Sequence, residues 1–66
     1  MVEQVRYLLR IKEVQARTGL SRSSLYAAIA AGRFPAPTKI GERSVAWDSA
    51  AVDAWIASKI DAKRAA

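Results

Sequence analysis

The sequence predicts a small, mainly α-helical domain carrying one β-hairpin, and three observations lead there. Two stretches with apolar residues at helical spacing flank a Gly-Leu-Ser turn at 19–21. A segment broken by Pro35 and Pro37 separates them from a third such stretch. The 66 residues include no cysteine and no histidine, so disulfides and thiolate metal sites are excluded and packing alone must hold the fold. A chain of this length makes one domain, residues 1–66, with 1–5 and 62–66 expected to fray. Such a domain buries only about 60% of the surface its unfolded chain exposes, so its stability margin is narrow.

The elements follow in order. "VRYLLRI" (5–11) is short, apolar and rich in strand formers, which predicts a strand at about 6–9. "IKEVQARTG" places Ile11, Val14 and Thr18 on one side of a two-turn helix, with Gly19 at its C-terminal cap. Leu20 supplies an apolar anchor in the turn, and Ser21 is a favoured N-cap. The second helix is expected from about Arg22 to Ala31, with Leu25, Ala28 and Ile29 on its buried face and Gly32 as its stop. After the prolines, "TKI" and "SVAW" flank "GER", a three-residue turn containing glycine, and so read as a hairpin. Ile40, Val45 and Trp47 are its inward candidates, and Gly41 is expected to let the turn close. Asp48 then caps a last helix over about 49–63, whose core stripe is Val52, Trp55, Ile56 and Ile60. Trp47 and Trp55 both belong to the expected core.

The formal charge is +5, and its placement is uneven. Residues 6–43 carry eight basic side chains (Arg6, Arg10, Lys12, Arg17, Arg22, Arg33, Lys39, Arg43) against Glu13 and Glu42, whereas residues 44–66 are neutral. A positive field confined to one part of a chain speaks about partners, most often nucleic acid or an anionic membrane. No apolar run approaches the roughly 18 residues of a membrane span, and "MVEQVRYLLRIKE" lacks the apolar core of a signal peptide. The expectation is a cytoplasmic, nucleoid-associated protein with no membrane partner. Enzymatic activity is not expected. Histidine, cysteine and a glycine-rich phosphate loop are all absent, and nothing converges on a reacting atom. No cofactor is called for.

Two short helices joined through Gly-Leu-Ser, then a hairpin, then a closing helix make a winged helix-turn-helix. In that arrangement the second helix is presented outward, and its first turn meets bases and phosphates in a DNA major groove. This accounts for a helix that opens on Ser21, Arg22, Ser23 and Ser24, four residues that bury nothing. Arg22 can contact guanine O6 and N7 in a bidentate way, Ser23 and Ser24 can bond to phosphate or base, and Tyr26 can send its hydroxyl to the backbone. In the wing, Lys39 and Arg43 stand at either side of the turn, suited to a phosphate strand or the minor groove. The candidate DNA-binding residues are therefore Arg22, Ser23, Ser24, Tyr26, Lys39 and Arg43.

The run "LLRIKEVQARTGLSRSSLYAAIAAGRFPAPTKIGERSVAWDSAAVDAWIASKI", residues 8–60, resembles the AlpA family of phage-encoded transcriptional regulators, related to excisionases and to MerR-type winged-helix domains. The most specific elements are "TGLSRSSLY", "GRFPAPTKIGERSVAW" and "VDAWI". The resemblance implies an N-terminal strand, a helix-turn-helix, a two-stranded wing and a C-terminal helix. It also implies sequence-specific DNA binding that regulates excision or prophage genes, with Arg22, Ser23, Ser24 and Tyr26 at recognition-helix positions and Arg43 in the wing. One departure is Ala27-Ala28, where family members often carry a larger or basic side chain.

Double-stranded DNA is thus the expected partner. Tight binding calls for more than one copy of the chain on the DNA, as a homo-oligomer or as multiple separate copies, and a recombinase joins the partners if the role is that of an architectural excisionase. A protein-interaction module built on the Trp/Ile helix is the remaining alternative; it requires a large exposed apolar patch on that helix.

Overall fold

The computed structural model describes residues 6–65, with side chains through residue 62. It contains three helices and a small antiparallel sheet, in the order β1 (Leu8–Leu9), α1 (Ile11–Thr18), α2 (Arg22–Ala30), β2 (Thr38–Lys39), β3 (Val45–Asp48) and α3 (Ser49–Ala65). This is a small winged-helix-like fold. The expected fraying of residues 1–5 lies outside the described residues.

The sheet order is β1-β3-β2, so the wing is not a free hairpin. Its second strand is the central one, and the N-terminal strand pairs along the opposite edge, with Leu8 facing Asp48 and Leu9 facing Trp47. Pairing continues one step past β1. Tyr7 donates its N–H to Ser49 Oγ and accepts the Ser49 N–H, both at 2.9 Å, which satisfies a serine that is fully buried.

Local chemistry sets the helix limits. At the start of α1, Glu13 reaches back to accept the Arg10 N–H (3.0 Å). Its end is Gly19, at φ 75°, whose N–H bonds to Gln15 O (2.8 Å). The α2 helix stops at Ala30, one residue short of the expected end. There Gly32, also at φ 75°, closes a Schellman motif, its N–H on Ile29 O (3.0 Å) and the Arg33 N–H on Ala28 O (2.8 Å). Asp48 Oδ1 accepts the Ala50 N–H (3.0 Å) and so caps α3. That helix runs to Ala65, two residues beyond the expected limit and through most of the stretch expected to fray.

The core is Leu9, Val14, Leu25, Phe34, Trp47 and Val52, with Ile11, Leu20, Ala28, Ile29, Val45, Trp55 and Ile56 packed around it. Three expectations about packing and turn geometry need correcting. Ile40 is 45% exposed, not inward. The register pairs Lys39 with Val45, which sets Ile40 across from Ser44 and on the sheet face opposite Val45 and Trp47. Ile60 is 53% exposed because it stands a full turn beyond Ile56, where α3 has passed the body of the domain. Gly41 has no positive φ, and a side chain there meets only Ser44 at 3.6 Å, so the turn does not depend on glycine. Phe34, which sequence periodicity did not mark, is buried and stacks edge-on against Trp55 (4.9 Å between centroids).

Trp55 is only half-buried. Its indole N–H donates to Arg33 O at 2.7 Å, tying α3 to the segment after α2. Two ion pairs add further ties. Arg6 bonds Asp48 (2.5 Å), and Arg17 of α1 bonds Asp53 of α3 (2.7 Å) while also donating to the Tyr7 hydroxyl.

Truncating Leu25 to alanine is expected to cost about 2–5 kcal/mol in chemical denaturation, enough to unfold much of so small a domain. The Arg6 guanidinium, helped by the Ala50 N–H, holds the Asp48 carboxyl below its ordinary value. Its contribution is therefore present at neutral pH and lost as acid carries the protein below about 3.9 and through the lowered folded-state value. Asp48→Asn, which keeps a capping oxygen, should flatten the acid limb of a stability–pH curve.

Candidate nucleic-acid interface

A helix N-terminus leaves backbone N–H groups unpaired, and α2 resolves this with its own serine. Ser21, in extended conformation (φ −72°, ψ 164°), accepts the Ser24 N–H at 3.1 Å. The same hydroxyl donates to Ser24 Oγ at 3.0 Å, which leaves the Ser24 proton free to donate outward. Arg22, Ser23 and Ser24 are all exposed, while Leu25 directly after them is completely buried. The first turn of α2 is thus a polar tip fixed from beneath by one apolar contact.

Tyr26 links this tip to the sheet. Its ring stands edge-on to Trp47 of β3 (6.4 Å between centroids, 65° between planes), and the residue remains 39% exposed. The Arg22 guanidinium lies over the same ring, 5.8 Å from its centre. Arg22, Tyr26 and Trp47 therefore form one continuous set of contacts from the helix tip to the strand that carries the wing.

Lys39 is exposed on β2, opposite Val45. Arg43 is exposed in the loop 41–43, which is closed by the Ile40 and Gly41 N–H groups on Ser44 O (2.9 and 3.3 Å). Glu42 is exposed beside it. The structure brings Arg22, Ser23, Ser24 and Tyr26 together on one helix, and Tyr26 meets Trp47 of β3, the strand with which Lys39 of the wing pairs.

The cations divide into two groups. Arg6 and Arg17 are held by carboxylates. Among the described residues, Arg10, Lys12, Arg22, Arg33, Lys39, Arg43 and Lys59 have no carboxylate partner; Lys59, on α3, lies over the Trp55 ring at 5.4 Å. Arg10, Lys12 and Arg33 were not singled out from sequence, because a charge count cannot tell a paired arginine from a free one. Among the described residues no cluster of acidic or sulfur and nitrogen ligands suits a metal ion, and no helix is long and apolar enough to cross a membrane.

Comparison with known proteins gives two matches. Residues 7–60 fit the family model described as prophage CP4-57 regulatory protein (AlpA). An uncharacterized protein of Enterobacteria phage P4, ORF88, is 40% identical over 63 residues, covering 96% of this chain and 70% of its own. No solved structure matches the chain.

Replacing Ser21 with alanine removes the acceptor for the Ser24 N–H and should cost about 1 kcal/mol, or roughly 4–8 °C in Tm for a domain of this size. Thermal unfolding of Ser21→Asp, which restores an acceptor at the cap, should recover that loss.

Proposed function

From the premise that the chain belongs to the AlpA family of prophage regulatory proteins, we propose that it is a sequence-specific DNA-binding regulator of transcription, prophage-encoded and controlling excision or integrase genes. The observation that carries this reading is the tip of α2, where an arginine without a carboxylate partner and two hydroxyls stand exposed over the buried Leu25. An exposed tip of this composition suits the edges of base pairs in a major groove, which admits an α-helix. Arg22 reads a guanine, Ser23 and Ser24 engage base or phosphate, and Tyr26 completes the surface. Lys39 and Arg43 follow a phosphate strand from the wing. Arg10 and Lys12, at the start of α1, suit the role of the first helix in crossing the backbone.

The second reading keeps the same surface and changes its consequence: an architectural excisionase that bends DNA for a recombinase. Footprinting on a prophage attachment site and on neighbouring promoters separates the two. The protein-interaction alternative draws on the exposed Ile60 and half-buried Trp55 of α3. It leaves the unpartnered cations unused.

Affinity for duplex DNA should fall with salt at about −0.9 in log–log slope for each phosphate neutralised. Arg22→Ala should remove about 1–3 kcal/mol of discrimination at one base pair. Arg43→Ala should weaken binding evenly across sequences and reduce the salt slope by about one. Wild-type binding that ignores salt overturns the proposal.

A further inference from the structure

We propose that Tyr26 is the positioning residue for Arg22, and that its ring, not its hydroxyl, is the working part. This rests on the DNA-binding reading above and assigns the origin of its specificity.

An arginine on the first turn of an exposed helix samples many rotamers. That freedom must be given up before the guanidinium can lie in the plane of a guanine edge. A side chain four residues on lies over the same face of the helix and leans towards its N-terminus, which brings the Tyr26 ring up to Arg22. The guanidinium carbon stands 5.8 Å from the ring centre, within the range of a cation–π contact. A guanidinium that rests on a ring face keeps its N–H edge available for hydrogen bonds.

The ring is itself held. Trp47, against which it stands edge-on, is completely buried, and its indole N–H donates to Pro35 O at 3.0 Å. A rigid strand residue thus fixes the tyrosine, and the tyrosine limits the arginine. A second arginine–tyrosine pair in the molecule shows the contrast. Arg17 lies 5.6 Å over the Tyr7 ring, yet it also donates to the Tyr7 hydroxyl and to Asp53, so its donors are engaged within the fold. Arg22 has the ring and, among the described residues, no carboxylate. Among the described residues its guanidinium makes no hydrogen bond, so the ring orients donors that remain available.

The test uses duplexes selected from random DNA by the wild-type protein, together with their single-base variants. Tyr26→Phe should keep the wild-type preference ratio. Tyr26→Leu should reduce it about two- to fivefold at the same base pair that Arg22→Ala affects, with the salt slope unchanged. In the Arg22→Ala background, Tyr26→Leu should cause no further loss of preference. In the free protein, Arg22 side-chain protons should show a ring-current shift that Tyr26→Phe retains and Tyr26→Leu abolishes. If Tyr26→Phe loses as much preference as Tyr26→Leu, the hydroxyl contacts DNA and the proposal is wrong. A full loss from Tyr26→Leu in the Arg22→Ala background also overturns it. If the wild type binds no DNA, both readings fall. A ring-current shift that persists in the free protein then shows that the fault lay with DNA binding and not with the arginine–tyrosine contact.

Discussion

Trp47 sits on the central strand, faces Leu9 across the sheet, and packs with Val14 of α1, Leu25 of α2 and Val52 of α3 in one buried cluster. Burying an indole removes a large apolar area from water but leaves a polar N–H that must find an acceptor. Pro35 O supplies it. The choice of acceptor has a structural consequence, because it ties the proline segment to β3 and so sets where the chain enters the wing. A domain this small, with no cysteine for a disulfide, depends on such multiply connected contacts, since its surface-to-volume ratio leaves little apolar burial elsewhere.

The same residue explains how a small domain can keep part of its surface free for binding. Leu25 anchors α2 from beneath and Tyr26 braces it from the side against Trp47, so Arg22, Ser23 and Ser24 need no apolar contacts of their own. Buried packing and exposed polar groups are divided between adjacent residues on one helix. The turn that carries the exposed arginine and serines contributes a cap to the fold through Ser21 and otherwise faces solvent.

Charge is divided in a similar way. Arg6 and Arg17 close the fold by pairing with Asp48 and Asp53, and through them β3 and α3 are tied to the N-terminal strand and α1. Both pairs are exposed enough for solvent to weaken them, and their value lies in orientation more than in energy. The cations without carboxylate partners include those of the α2 tip and the wing, and an excess of positive potential there raises the rate and strength of association with a polyanion.

Much of this was legible in the chain itself. Local signals with a direct backbone cause read correctly: Gly19 and Gly32 as the stops of the first two helices, Ser21 and Asp48 as caps, and the prolines as breakers of helix in the segment that follows α2. Helical periodicity found Val14, Leu25 and Val52, because a buried stripe repeats within one element. What failed depended on strand register and on how far the packed body extends. Ile40 was misplaced because a strand's inward face is set by the register with its partner, and Ile60 because the body that would cover it ends before α3 does. Phe34 lies in an irregular segment with no period to reveal it. The resemblance to the AlpA family and the candidate tip of α2 came from residues in sequence order. Only tertiary structure decided that β1 joins the wing, that Arg17 belongs to the fold, and that the Tyr26 ring beneath Arg22 stands against Trp47, since each is a contact between residues of different segments whose proximity exists only once the chain has packed.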